Sequence, residues 1–530
     1  TDLNGQQTQY TLDAAGRILT IREPLEIASG QPFTIAFEYH PDDSTAWAMA
    51  KHYDPAHPGN YLETASLRDG IGREVQTKKD IGLFTGAKTA DQEVMVVSGS
   101  TVFDAFFRPV KQWYPLTEAK GTIGIYNTGS DEVTPFSMSY DVMDRMLTDT
   151  LPDLVVRKTT YGFGNDQNGT MQFKTTSSDA NGISTESFLN VRELLKATKQ
   201  QLGQGNGVWT SYSYNPVNEL TKVTDDLGNV ITMTYDQLGR KISDKHPDAG
   251  TTNYKYDLAG NLSGKITANL QGAGAGIKYT YDRERLTNIT YPQNPQNNVT
   301  ITYGAPGASF FRAGRIVTQQ DASGTQQFFY NPLGATVKNI RVINVPDTTA
   351  LTFTTQWTYD TWNRVTGMIY PDGETLTYNY NVGGSLQSMT GVNGGTSYNY
   401  LTQSGYDKFE TRVFMQYGNG TQMTYTFGAQ RRELAKMTAK TKASRFMMDN
   451  TYTWDNENEI LNIVNAAPVP PNNLMGGGAA YNYTYDDLYR LTSANGSFSG
   501  SSHVDSFNLA MAYNTVSGIT GKTQAHQSRA

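Results

Sequence analysis

The feature that most constrains this chain is a short string that returns at a fixed step. Tyr235-Asp236-x-x-Gly239-Arg240 is followed, 21 positions on, by Tyr256-Asp257-x-x-Gly260-Asn261. The same 21 positions separate Asn215 from Asp236 and Asp360 from Asn381. A period of this size marks one supersecondary unit copied along the chain, each copy stacked on the next.

The unit can be built from its chemistry. Bulky residues fall at every second position in 375–381 and in Tyr254-Lys255-Tyr256, which is the strand period. An Asp or Asn follows, at Asp13, Asp236, Asp257, Asp360, Asn381 and Asp486, and its short side chain accepts from the backbone two residues on, opening a turn. Three positions later stand Gly16, Gly239, Gly260, Gly334 and Gly384. Where Gly is missing, the substitutes include Asn218, Asn363, Asn458 and Asp144, the residue types that best tolerate positive φ, so we expect that conformation there. Two positions further on, an apolar residue such as Ile18, Met146, Leu262, Val365 or Leu491 begins the next strand. Pro371-Asp372-Gly373 closes the far end. Each unit is therefore a hairpin with strands of about eight residues, about 27 Å long. A lone hairpin is marginal in water, so the units must stack edge to edge. The expected fold class is all-β, made of stacked antiparallel β-hairpin repeats.

Composition agrees with this architecture. The 530 residues include 33 Tyr and 50 Gly with only 37% hydrophobic residues, which suits aromatic ladders joined by many turns better than one thick aliphatic core. The pattern runs from Asp13 to Asn514, divergent and carrying insertions over 1–150 and regular over 151–530. With 43 basic and 50 acidic residues, a net charge of −7 and no Lys/Arg-rich run, nucleic acid is not an expected partner. Cysteine is absent, which excludes disulfide and thiolate chemistry, and no apolar run reaches the roughly 20 residues of a membrane span. The chain opens on Thr1 without a charged-then-apolar leader, and we expect both ends to be cuts through a longer polypeptide.

Several stretches test the scheme. The segment 23–57, with Pro24, Pro32, Pro41 and Pro55 and followed by Pro58, reads as an insertion or a long hairpin. Residues 186–204 and 430–446 are rich in helix formers, yet Phe188-Leu189-Asn190 stands in the Tyr-Asp place and Tyr425-Thr426-Phe427 precedes a turn, so both are expected as strand. Gly272-Ala-Gly-Ala-Gly276 and residues 466–480 read as flexible surface loops.

The Tyr-Asp-x-x-Gly-Arg strings resemble the YD, or RHS, repeats of bacterial polymorphic toxins and of the teneurins. Residues 69–80, 97–110 and 511–524 are more narrowly similar to the shell-forming B and C components of Tc insecticidal toxin complexes. The resemblance covers most of the chain, and it implies hairpins spiralling into a curved or hollow β-shell that encloses a toxic C-terminal segment. It also implies partners: that toxic polypeptide or another cargo, with further shell repeats or a partner toxin subunit. The implied setting is bacterial, secreted or loaded into a secretion apparatus. The toxin members carry an Asp-dependent self-cleaving segment with D-P-x-G-type signatures, whereas the only Asp-Pro here is Asp54-Pro55, near the opposite end. The resemblance thus transfers a container but neither its protease nor its cargo.

A search for catalysis returns little. The repeat Asp is replaced by Asn at Asn215, Asn331, Asn381 and Asn514, and an amide cannot ionise, so the place belongs to turn chemistry. His52-Tyr-Asp54-Pro-Ala-His57 pairs two His with a carboxylate but lacks a further clear metal ligand. We expect no catalytic residues, no cofactor and no metal, and a non-enzymatic structural shell of a bacterial toxin. Two rivals stay open: an extracellular adhesive surface binding glycans through aromatics such as Trp47 or Trp113, and an effector cargo of a contractile injection system.

Overall fold

The computed structural model describes residues 1–57, 59, 61–87, 89–203, 207–469, 477–500 and 504–529. Pro58, Gln204 and residues 470–476 of the second Gly/Pro-rich loop lie outside the described residues. Among the described residues, helix is confined to Pro24–Ser29, Ala268–Gly272 and the 3₁₀ turn Pro295–Asn297. Everything else regular is strand, with each strand paired antiparallel to its neighbour.

The hairpin at the centre of the sequence argument shows how the unit forms. Val230–Tyr235 pairs with Lys241–His246, and the register slips by one residue between Thr234 and Tyr235. Gly239, with φ 77°, supplies the left-handed residue that such a bulged turn requires. The two strands have six residues each, fewer than the sequence suggests, because the five-residue turn and its bulge absorb positions whose alternation reads as strand. The helix-prone stretches are Ser184–Leu189, Leu195–Gln201 and Leu434–Lys440, all strands. Sheet context overrides propensity there: Phe188 is fully buried, its ring 5.3 Å from that of Trp209 two strands away. The segment 23–57 resolves into the helix Pro24–Ser29 followed by the hairpin Ile35–His40 and Ala46–Tyr53. The glycine loop at 272–276 begins at the last residue of the short helix Ala268–Gly272, a turn of helix the loop reading did not anticipate.

The chain forms two compact units, each interleaved in sequence. The first comprises Thr1–Ser100, Pro115–Gly129 and Thr252–Asn419. It contains an eight-stranded sheet running from Gln9–Leu12 through Gln92–Ser98 and ending with Leu116–Ala119, and a meander of hairpins up to Arg412–Tyr417. The eight-stranded sheet holds the denser core: Met49, Ala65 and Leu67 are buried with Trp47 and Ile123 against them. Beside them the Lys78 ammonium is fully buried, bonded to Glu118 Oε1 at 2.5 Å and to the carbonyls of Thr122 and Ile125, so it ties residues 116–129 to strand Glu74–Leu83. The second unit comprises Thr101–Tyr114, Ser130–Thr251 and Gly420–Ala530. It is built from two runs of hairpins, one ending at Lys241–His246 and one beginning at Gln422–Phe427.

Candidate functional site

Along the repeats, the element that recurs and does the joining is the turn. At Asp236 the carboxylate Oδ1 accepts from the amides of Leu238 and Arg240, and Oδ2 accepts from Arg240 Nε at 2.7 Å. The same geometry stands at Asp13, Asp360 and Asp486 with Arg17, Arg364 and Arg490, and at Asp257 with Asn261 in place of Arg. At Asn381 the amide oxygen accepts from Gly383 and Ser385, which is the bond a neutral side chain can still make. Gly16, Gly239, Gly260 and Gly384 have φ of 81°, 77°, 90° and 85°, and Asn363 has 56°. Burial pushes the Asp236 carboxyl up, but the guanidinium and the two amides together outweigh it and hold the group below the ordinary carboxylate value.

The sequence did not foretell what joins one unit to the next. The repeat Tyr donates its hydroxyl to the carbonyl of the apolar residue that starts the return strand of the preceding unit: Tyr235 to Leu220, Tyr281 to Leu262, Tyr380 to Val365, Tyr406 to Leu386, Tyr485 to Ile460 and Tyr513 to Leu491, all at 2.8–3.0 Å. Trp454 replaces Tyr and makes the same bond through its indole N–H, to Leu434. The Arg of the preceding turn lies against the same ring, 4.6 Å from it for Arg364 and Tyr380 and 4.8 Å for Arg490 and Tyr513. One Arg therefore neutralises its own turn and supports the next unit's aromatic ring, by charge and by cation–π attraction. The legible signal was the co-occurrence of Arg immediately before the apolar residue, as in Arg364-Val365 and Arg490-Leu491, with Tyr in the following unit.

The turns are also contact points. In the first unit the eight-stranded sheet meets the turn row: Trp362 Nε1 donates to the Tyr53 carbonyl, Arg364 pairs with Asp54 at 2.9 Å, Asn381 donates to Asp91, and Phe84 stacks on Phe414 at 4.8 Å. Asp54 also accepts from His57 Nδ1 at 2.7 Å, so the His-Asp-His segment is engaged with a guanidinium, and no group of three or more metal-ligating side chains occurs among the described residues. Burial lowers the His52 pKa and raises that of Asp91. In the second unit the turns of the later run sit on turns of the earlier run. Asn456 Nδ2 donates to the Ala180 carbonyl, Glu457 accepts from the Ala180 amide and pairs with Arg157, and Asp487 accepts from the Gly203 amide. Of the aromatics considered for sugars, Trp47 is stacked on His40 at 3.9 Å with its N–H bonded to Asp43, and Trp113 is half-buried.

These features define a protein made of clamped β-hairpin repeats. The teneurin YD-shell family model matches residues 2–524, and the chain belongs to that family. Its fold is that of the crystallised TcdB2-TccC3-Cdc42 complex, at a TM-score of 0.84 and 15% identity over 99% of this chain and 33% of that one. The Photorhabdus luminescens Tc holotoxin pore is similar, with TM-score 0.82 and 15% identity over 99% of this chain and 32% of that one. Among curated proteins, the tRNA nuclease WapA of Bacillus subtilis is 25% identical over 194 residues, 32% of this chain and 7% of WapA. The double-stranded DNA deaminase toxin A of Burkholderia cenocepacia is 28% identical over 145 residues, 26% of this chain and 10% of the toxin. The chain thus spans about a third of the solved chains and a tenth or less of these curated relatives.

Proposed function

We propose that this chain is a stretch of β-shell in a bacterial toxin, a non-enzymatic wall that surrounds a toxic polypeptide and presents it for delivery outside the producing cell. The observation that carries this reading is the clamp. Tyr–carbonyl and Arg–Tyr contacts link each hairpin only to its neighbour, so a sheet of any extent can be held together without a filled centre. Met49, Ala65 and Leu67 form a buried apolar cluster in the first sheet, and the repeats bury further apolar side chains along their length, among them Phe188, Ala197, Leu376 and Ala494. The likeness to Tc toxin structures and the toxin and nuclease names of the bacterial relatives support a toxic polypeptide as cargo, with further shell repeats or a partner toxin subunit beside it. Turn Asp side chains whose oxygens are all committed to amides and guanidinium groups support a structural role for those positions.

The test is protection. The polypeptide encoded with this chain should resist added protease when the two are produced together and should be digested when produced alone. Equal digestion rates in both preparations would end the container reading.

A further inference from the structure

Around the fully buried Lys78 in the first unit stand more groups than an ion pair needs. The ammonium donates to Glu118 Oε1 at 2.5 Å and to the Thr122 and Ile125 carbonyls at 2.8 and 2.5 Å. The other oxygen of the same carboxylate, Oε2, accepts from the side-chain amide Nδ2 of Asn127 at 2.6 Å. Thr122 Oγ1 donates to Oε1 at 2.7 Å and fixes the carboxylate further. Asn127 is held from two sides. Gln76, also buried and two residues before Lys78 on the same strand, accepts from the Asn127 backbone amide and donates to its carbonyl, each at 2.9 Å. The Gly129 amide donates to Asn127 Oδ1 at 2.8 Å. One carboxylate therefore bridges an amine and a carboxamide whose carbonyl oxygen already has an N–H donor. These are the parts of an acyl transfer: a nucleophile, a proton carrier, an acyl group and a donor for the oxyanion.

We propose that Lys78 and Asn127 join through an isopeptide bond that the folded chain forms by itself, with Glu118 as the catalytic residue. Glu118 Oε1 takes a proton from the Lys78 ammonium along the bond they already share, between atoms 2.5 Å apart. The Thr122 and Ile125 carbonyls keep the other two N–H groups, so the freed lone pair faces the side of Glu118 and Asn127. Rotation about the Lys78 and Asn127 side-chain bonds brings Nζ to the roughly 3–3.5 Å of a reacting pair. Nζ adds to Asn127 Cγ, and the charge that develops on Oδ1 meets the Gly129 N–H. The Cγ–Nδ2 bond then breaks. Nζ gives up two protons in all, Glu118 passes both to Nδ2, and the nitrogen leaves as ammonium while Glu118 returns to the carboxylate. Nothing is oxidised or reduced and no co-reactant is consumed. The event happens once within the chain and is not a turnover. Its product ties residues 116–129 covalently to strand Glu74–Leu83, and as with any cross-link it restricts the unfolded chain. This inference stands apart from the container reading.

The experiment is mass spectrometry of the purified full chain, denatured before measurement. The expected intact mass is lower than that of the sequence by one ammonia, and trypsin should release a branched peptide that joins Lys78 to Asn127 and is uncut after Lys78. Asn127→Ala leaves the Lys78–Glu118 pair in place and should restore the full mass. In freshly made chain, Glu118→Gln should slow linkage by about 100-fold or more. A parent chain of full mass would overturn the proposal, and this result needs no variant to fold. So would an ammonia loss that maps elsewhere, for instance to a succinimide at Asn181-Gly182, or linkage at an undiminished rate in folded Glu118→Gln. Protected cargo around an unlinked chain defeats the isopeptide alone, whereas a linked chain with digestible cargo defeats only the container.

Discussion

The Arg364 guanidinium lies 4.6 Å from the ring of Tyr380, while its Nε is bonded to Asp360 and one terminal nitrogen to Asp54. One side chain thus closes its own turn, supports the next hairpin and anchors the eight-stranded sheet. Repeats built this way transmit stability from neighbour to neighbour, and the consequences can be measured.

Tyr380→Phe removes the hydroxyl that reaches the Val365 carbonyl and leaves the ring in place. The loss should be about 0.5–1.5 kcal/mol, read from the urea midpoint of the transition that includes this hairpin. Double substitution with Arg364 should be non-additive, since both act on one ring.

Asp360 is buried, with Oδ1 accepting from the Trp362 and Arg364 amides. Asp360→Ala strands these donors and one bond of Arg364, and should destabilise by about 1–3 kcal/mol. Asp360→Asn keeps the Oδ1 bonds, as Asn381 does, and should lose clearly less. Equal losses would contradict the turn chemistry.

Gly384→Ala meets two obstacles, a φ of 85° and a Cβ placed 2.7 Å from Trp362 Cζ3. A loss of at least about 1–2 kcal/mol is expected in chemical denaturation. Asn363→Gly, at φ 56°, should be close to neutral.

Lys78→Met leaves Glu118 without its ammonium partner. Burial pushes the Glu118 carboxyl up, and the bonds from Lys78, Thr122 and Asn127 together hold it below its ordinary value. Removing the buried cation should destabilise by about 3–5 kcal/mol. Hydrogen exchange should rise first in residues 116–129, the segment Lys78 holds.

Acid dependence in the first unit has two arms. Asp13, Asp69 and Asp257 lie below the ordinary value, so their contribution is complete above it and is lost as pH falls through their lowered values. Burial raises Glu26, Glu63, Asp80 and Asp91, so their ionisation weakens the fold as pH rises from the ordinary value through the raised ones. Urea midpoints should pass through a maximum on the acid side of neutrality, and Asp80→Asn should flatten the fall toward higher pH. A midpoint that rises steadily to neutrality would refute the second arm.

The period, the turn and the strand were legible in the residues, because each rests on interactions within a few positions. The place of Asp236 follows from a short acceptor reaching amides two and four residues on, and that of Gly239 and Asn363 from backbone sterics alone. Even the helix-rich stretch around Phe188 could be read as strand, since its register against neighbouring units outweighed propensity. What only the tertiary structure decided involves partners far apart in sequence. Nothing local to Arg364 says that Asp54 and Tyr380 share it, nor that Glu457 will meet Arg157 and the Ala180 amide. A hairpin repeat specifies its neighbour by hydrogen-bond geometry, but which turns become seams depends on where all the hairpins between two distant turns carry them, and that is a sum over the run rather than a property of one hairpin.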